Sequence, residues 1–214
     1  MNNIILQTKD LSFNGIINYN DIQIIENQAN FIVGKSGTGK STLLRLFNGT
    51  LSPSSGNILY LGNDIDTMDM IKLRQEILLI SQSVYLFDTT IKENFRQFYD
   101  YRDLIPPSEE EMKYFLDLCL IPFSLDNDCT TMSGGEKQRI YIAIFLSFKP
   151  KVLMLDEPTS ALDKENSNKV MENIITYCKV NEVTVVVVSH DTNITEKFAD
   201  HVITIGGNNN ARNS

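Results

Sequence analysis

The chain has 214 residues, enough to bury a substantial core as one large domain, with or without a small inserted subdomain. Its 27 acidic residues outnumber 19 basic ones, and the resulting net charge of −8 disfavours nucleic acid or an anionic lipid surface as a direct partner. The three cysteines, Cys119, Cys129 and Cys178, are widely spaced, with no C-x-x-C pair and no histidine cluster beside them; this argues against a disulfide framework or a zinc site and fits a reducing cytoplasm.

The first residues lack a basic segment followed by an apolar stretch, and no run reaches the ~18 apolar residues of a membrane span, so membrane association is expected only through a partner. In chain order, residues 11–13 and 22–24 read as short strands. Residues 30–33 are a buried strand, and residues 42–47 have the apolar spacing of a helix. The Pro- and Ser-rich turn at 52–56 leads into a strand at 57–61, and a further buried strand at 77–80 ends at Ser81-Gln82. From residue 90 to about 120 the pattern is helical, with Ser108 and Glu111 spaced as a capping box after Pro106-Pro107; residues 84–131 therefore read as a helical insertion. The α/β pattern then returns: helix 134–147, strand 152–155, helix 164–178, strand 183–188 and strand 202–205. Continuous apolar strands alternating with helices predict an α/β fold whose mainly parallel sheet is covered on both faces. The Gly- and Asn-rich tail, 206–214, is expected to be disordered.

Three segments carry chemistry. Gly34-Lys35-Ser36-Gly37-Thr38-Gly39-Lys40-Ser41 fits G-x-x-x-x-G-K-[ST], between a predicted strand and a predicted helix that continues through Thr42. In that pattern glycines let backbone N–H groups wrap phosphate oxygens, Lys40 reaches the β- and γ-phosphates, and the Ser41 hydroxyl coordinates Mg²⁺. A helix beginning at residues 39–41 would also aim its dipole at the phosphates, so a nucleoside triphosphate is the expected ligand. Strand 152–155 ends in Asp156-Glu157, beyond the carboxyl edge where α/β sheets bind ligands. Asp156 is placed to hold Mg²⁺ and Glu157 to take a hydrogen bond or proton from an attacking water, although two adjacent carboxylates also suit a helix cap. Ser133-Gly134-Gly135-Glu136 reads as a capped helix start whose glycines expose N–H groups, a second anion site on the same chain.

Together these segments resemble the ATP-binding subunits of ABC transporters, over residues 11–205. The phosphate loop matches Walker A, Leu155-Asp156-Glu157 closes Walker B, and residues 132–139 match the family signature with Met132 where Leu is usual. Gln82 is similar to the Q-loop glutamine, Ser160-Ala161-Leu162-Asp163 to the D-loop, and His190 to the switch histidine. The resemblance implies a P-loop NTPase core with an N-terminal antiparallel β subdomain and an inserted α-helical subdomain, forming one ATPase domain over residues 1–205. It implies ATP and Mg²⁺ as cofactors, with Ser41, Gln82 and Asp156 toward the metal and His190 on the γ-phosphate. It also implies a head-to-tail dimer in which Ser133, Gly134 and Gly135 of one copy close on the nucleotide of the other. A separate multi-span membrane subunit is implied as partner, which would hold the chain peripherally on the inner face of the cell membrane. The loop that usually supplies an aromatic residue for adenine is shortened here; Phe13 is the nearest aromatic residue and Tyr19 the second candidate. The apolar cluster Val84-Tyr85-Leu86-Phe87 lies where the family receives its membrane subunit. The segment Thr90-Ile91-Lys92-Glu93-Asn94 looks most like stand-alone ATPases of iron-export systems.

Overall fold

The computed structural model describes residues 3–160 and 162–206. The described residues form two sheets. The first is antiparallel: β1 (Ile4–Phe13) pairs with β2 (Ile17–Asn18), β3 (Gln23–Ile25) and β5 (Ser55–Tyr60), and β5 with β6 (Asn63–Asp64). The second is parallel, in the order β10 (His201–Thr204), β4 (Ala29–Val33), β9 (Thr184–Val188), β8 (Val152–Asp156), β7 (Ile77–Ile80). A mixed α/β fold is thus established, with the parallel central sheet that the apolar strand runs predicted and the N-terminal antiparallel layer that the family resemblance implied.

Side chains on the parallel strands alternate between two cores because successive residues point to opposite faces. Phe31, Leu78, Ile80, Leu153, Leu155, Val185 and Val187 face the core shared with the helices of residues 91–147. Ile32, Ile77, Val152, Met154, Val186 and Val188 face the core under the antiparallel sheet. Each such side chain contributes about 1.5–3 kcal/mol on removal from water. Burial on both faces explains why these segments are nearly continuous apolar runs, the buried Asn30 of β4 being satisfied by donating to Ile25 O and accepting from Ile25 N–H.

α1 (Lys40–Phe47) follows β4 and packs on β8. α2 (Met70–Glu76) precedes β7. α3 (Ile91–Asp100) and α4 (Glu109–Leu118) come between β7 and α5 (Gly134–Ser147). α6 (Lys164–Val180) links β8 to β9, and α7 (Thr192–Phe198) links β9 to β10.

Several expectations need correction. β1 begins at Ile4 rather than residue 11; Gln7, Lys9 and Asp10 break its apolar pattern, and the buried Thr8 is satisfied by accepting from Ile22 N–H at 2.8 Å. α2 and α7 were not expected; they are capped by Asp69 and Asp191 and bury few apolar side chains, so they leave little periodic signal. At α4 only half of the expected capping box forms: Ser108 Oγ accepts from Glu111 N–H at 3.2 Å, while the Glu111 carboxylate pairs with Lys149 at 3.5 Å. All three cysteines are buried in the core. The expected tail beyond Gly206 and Ala161 of the D-loop segment lie outside the described residues.

Candidate functional site

Parallel register aligns the sequence motifs. Ile80 lies opposite Leu155, Asp156 opposite Val188, and Val188 opposite Ile32. The segments that begin at Gly34, Ser81, Glu157 and Ser189 therefore leave one carboxyl edge of the sheet, where α/β proteins bind ligands.

The expected phosphate loop, Gly34 to Gly39, lies between β4 and α1. Lys40 is 5% exposed, and its ammonium donates to the Gly34 and Lys35 carbonyls at 2.9 Å each, folded back across the loop. Thr38 Oγ1 donates to Lys35 O at 2.9 Å. Gly34 lies so near the end of β10 that a Cβ there would stand 2.4 Å from Ile205 O, leaving no room for a side chain. Gly39, the N-cap of α1, has φ of 93°, which glycine adopts without strain. Lys35, Ser36 and Gly37 are exposed, Ser41 and Thr42 half-buried in the first turn of α1. Exposed loop backbone at a helix N-terminus is the arrangement that receives an anionic phosphate.

The candidates for adenine separate. Phe13 is half-buried at the start of the turn into β2. Tyr19 is 7% exposed, and its hydroxyl donates to Gly39 O at 2.9 Å. Burial pushes that phenol up to about 12, so it stays a donor at neutral pH. Tyr19 is therefore buried with its hydroxyl on the loop, whereas Phe13 is the more exposed of the two aromatic rings.

At the end of β8, Asp156 is 7% exposed and its buried Oδ1 has no hydrogen-bond partner. A buried carboxylate oxygen left unpaired is costly, and a divalent cation or its water on this edge would satisfy it. The residues present thus fit Mg²⁺. Glu157 takes a left-handed backbone, φ 52°. Its N–H donates to Val188 O at 2.9 Å, and its carbonyl accepts from Ser160 N–H at 3.2 Å and Gln138 Nε2 at 3.4 Å. The reversed backbone turns the carboxylate toward its neighbours: Oε1 lies 3.0 Å from His190 Nε2, and Oε2 accepts from Gln82 Nε2 at 3.3 Å. Gln82, Glu157 and His190, far apart in sequence, are thus brought into direct contact, beside a cavity of about 330 Å³ bordered by Glu157, Ser160 and His190.

Ser133 and Glu136 close a capping box at α5. Ser133 N–H and Oγ donate to Glu136 Oε2 at 2.7 and 2.8 Å, and Glu136 N–H donates to Ser133 Oγ at 3.4 Å. These bonds hold the Glu136 carboxyl below the usual range. Ser133 and Gly134 are exposed, Gly135 buried. Among the described residues, no hydrogen bond joins residues 133–135 to residues 34–42. Ser133 and Gly134 are left exposed to solvent, without a bond to that loop.

Two contributions escaped sequence reasoning: Gln138, buried on α5 with its amide on the Glu157 carbonyl, and Tyr19 on Gly39. Gln138 carried one available signal, as a polar residue just before an apolar helical run, which needs a partner for its amide.

Aromatic residues gather around the half-buried Phe87. Tyr85 meets it edge-on at 5.2 Å and Tyr101 stacks on it at 5.9 Å. Tyr85 and Tyr101 are 65% and 76% exposed. Phe98, Tyr101, Arg102, Phe145 and Phe148 line an adjoining groove of about 230 Å³.

Comparison with known proteins places this geometry. The family model described as "ABC transporter" matches residues 17–160. The "Probable iron export ATP-binding protein FetA" of Escherichia coli (strain K12) is 35% identical over 89% of this chain and 84% of its own length. The "Phosphate import ATP-binding protein PstB" of Saccharolobus solfataricus is 36% identical over 85% of this chain and 75% of its own length. Among solved structures, cbiO1 from Clostridium perfringens, part of the ABC transporter complex cbiONQ, superposes with a TM-score of 0.81 at 29% identity, over 94% of this chain and 84% of that one. A bacterial Atm1-family ABC exporter with ATP bound superposes with a TM-score of 0.85 at 25% identity, over 96% of this chain and 38% of that longer one.

Proposed function

The chain belongs to the ABC transporter family as an ATP-binding, ATP-hydrolysing subunit, and from that premise we propose that it powers transport by closing and reopening a head-to-tail dimer. In this reading residues 34–42 bind the triphosphate, with Lys40 on the β- and γ-phosphates and Phe13 toward the base. Ser41, Gln82 and Asp156 would hold Mg²⁺, whose charge stabilises the phosphate oxygens during transfer. Glu157 orients or deprotonates the attacking water, and His190, held 3.0 Å from it, reaches the γ-phosphate. Ser133, Gly134 and Gly135 complete the site of the second copy; the exposure of Ser133 and Gly134, without a hydrogen bond to residues 34–42, supports this. ATP shared by both chains favours closure, and hydrolysis removes the shared γ-phosphate contacts.

The proposal treats residues 1–205 as one ATPase domain with residues 84–131 as an inserted helical subdomain. The aromatic surface of the exposed Tyr85 and Tyr101 around the half-buried Phe87 would receive a separate multi-span membrane subunit, since exposed apolar clusters mark interfaces. No helix among the described residues is long and apolar enough to cross a membrane, and the membrane subunit would hold the chain at the inner face of the cell membrane. Direction is proposed as export, of iron or another metal, on the similarity to the iron-export relative and on residues 90–94. Relatives named for phosphate and methionine import give the opposite direction. Metal content of cells with and without the chain decides between them: accumulation on deletion supports export, and depletion contradicts it.

The observation that carries the catalytic reading is the Gln82–Glu157–His190 contact at the strand edge beside the phosphate loop. Glu157→Gln is expected to keep ATP binding and cut hydrolysis by about 10²-fold or more. Turnover within about threefold of wild type would assign the base elsewhere.

A further inference from the structure

We propose that Tyr19, at the edge of the antiparallel sheet, is a positioning residue for the phosphate loop: its hydroxyl fixes the Gly39–Lys40 peptide and so aims the Lys40 main-chain N–H at bound phosphate. The inference rests on reading residues 34–42 as that loop. Tyr19 N–H donates to Leu11 O at 2.9 Å, which fixes the residue just after β2. Its hydroxyl donates to Gly39 O at 2.9 Å, and the same oxygen accepts from Leu43 N–H at 2.8 Å, the first bond of α1. A trans peptide is planar, with its C=O and the following N–H pointing in opposite directions. Two donors holding the Gly39 oxygen on the sheet and helix side therefore hold the Lys40 N–H on the opposite side. Leu43 alone would leave that peptide tethered from the helix only.

The contact is close as well as polar. A Cβ at Gly39 would stand 2.7 Å from Tyr19 Oη and 3.0 Å from Ile17 Cδ1, so both side chains wall the left-handed hinge where the loop becomes helix. Removing the hydroxyl leaves the packing and deletes one restraint. The antiparallel sheet thereby contributes to nucleotide affinity through main-chain geometry, without touching the nucleotide.

Titration of the full chain with ATP and with ADP, in Mg²⁺, tests this. Tyr19→Phe is expected to raise Kd for both about three- to tenfold, the range of one neutral hydrogen bond, while kcat at saturating ATP stays within twofold. Tyr60→Phe, which removes another buried tyrosine hydroxyl of the same sheet, bonded to Glu76 at 2.7 Å, controls for stability and should leave Kd within twofold. Ile17→Ala, which keeps the hydroxyl and removes the second wall, should raise Kd in the same direction. Unchanged Kd in Tyr19→Phe, or an equal rise in Tyr60→Phe, overturns the proposal; if Tyr19→Phe does not fold, unchanged Kd in Ile17→Ala does so. Lys40→Ala separates the two readings, because tight ATP binding by that variant would overturn the loop assignment itself.

Discussion

At the residue scale the proposed chemistry centres on Glu157. A glutamate in the left-handed region is disfavoured by about 1–2 kcal/mol, and here three hydrogen bonds offset that cost, from its N–H to Val188 O and to its carbonyl from Ser160 and Gln138. Gln138 thus joins α5, whose first turn carries Ser133 and Gly134, to the main chain of the proposed base. Replacing it with methionine keeps the volume and removes the donor. Gln138→Met is expected to lower kcat about tenfold with Kd for ATP within twofold, and to have no further effect on turnover once Glu157 is already glutamine. Steady-state ATPase kinetics with nucleotide titration check this; a rise in Kd with kcat unchanged would make Gln138 a packing residue only.

Among the elements, helix starts depend on ionised carboxylates. Asp128 at the turn before α5, Glu136 in the first turn of α5 and Asp163 at the N-cap of α6 all titrate below their usual range. The causes are hydrogen bonds from Thr130, Ser133 and Asn166 respectively. A carboxyl whose folded value is depressed adds stability that is fully present above the unfolded carboxylate range, near pH 4, and is lost as pH falls through the lower folded value. Thermal melts are therefore expected to fall in Tm from pH 5 toward pH 3 and to fall less in an Asp163→Asn, Glu136→Gln variant. An equal slope in both proteins would contradict this. The same caps mark how far sequence could be read. β4, β8 and β9 were legible because burial on both faces writes a nearly continuous apolar run, and α5 because its capping box precedes one. α2 and α7 were not, since seven-residue helices burying one or two side chains leave no period to detect. Glu157 and His190 were legible by motif, but their 3.0 Å contact depends on the β8/β9 register. The bond of Tyr19 to a main-chain oxygen has no sequence signature, and that of Gln138 is signalled only by a polar residue ahead of an apolar helical run.

The whole molecule presents two helix starts proposed to bind anions and joined by no hydrogen bond among the described residues: α1 behind the Gly34–Gly39 loop, and α5 with Ser133 and Gly134 exposed. The account joins them across two copies, each γ-phosphate adding contacts to both chains and so linking dimer to nucleotide by mass action. Hydrolysis would dissolve the dimer during measurement, which makes Glu157→Gln the protein to use. Light scattering of this variant is the most direct test. Monomer without nucleotide and dimer with ATP and Mg²⁺ is the predicted result, with Ser133→Arg added in the same chain abolishing the dimer. A Glu157→Gln protein that stays monomeric with ATP and Mg²⁺, or a double variant that dimerises as readily as its parent, would contradict the composite site.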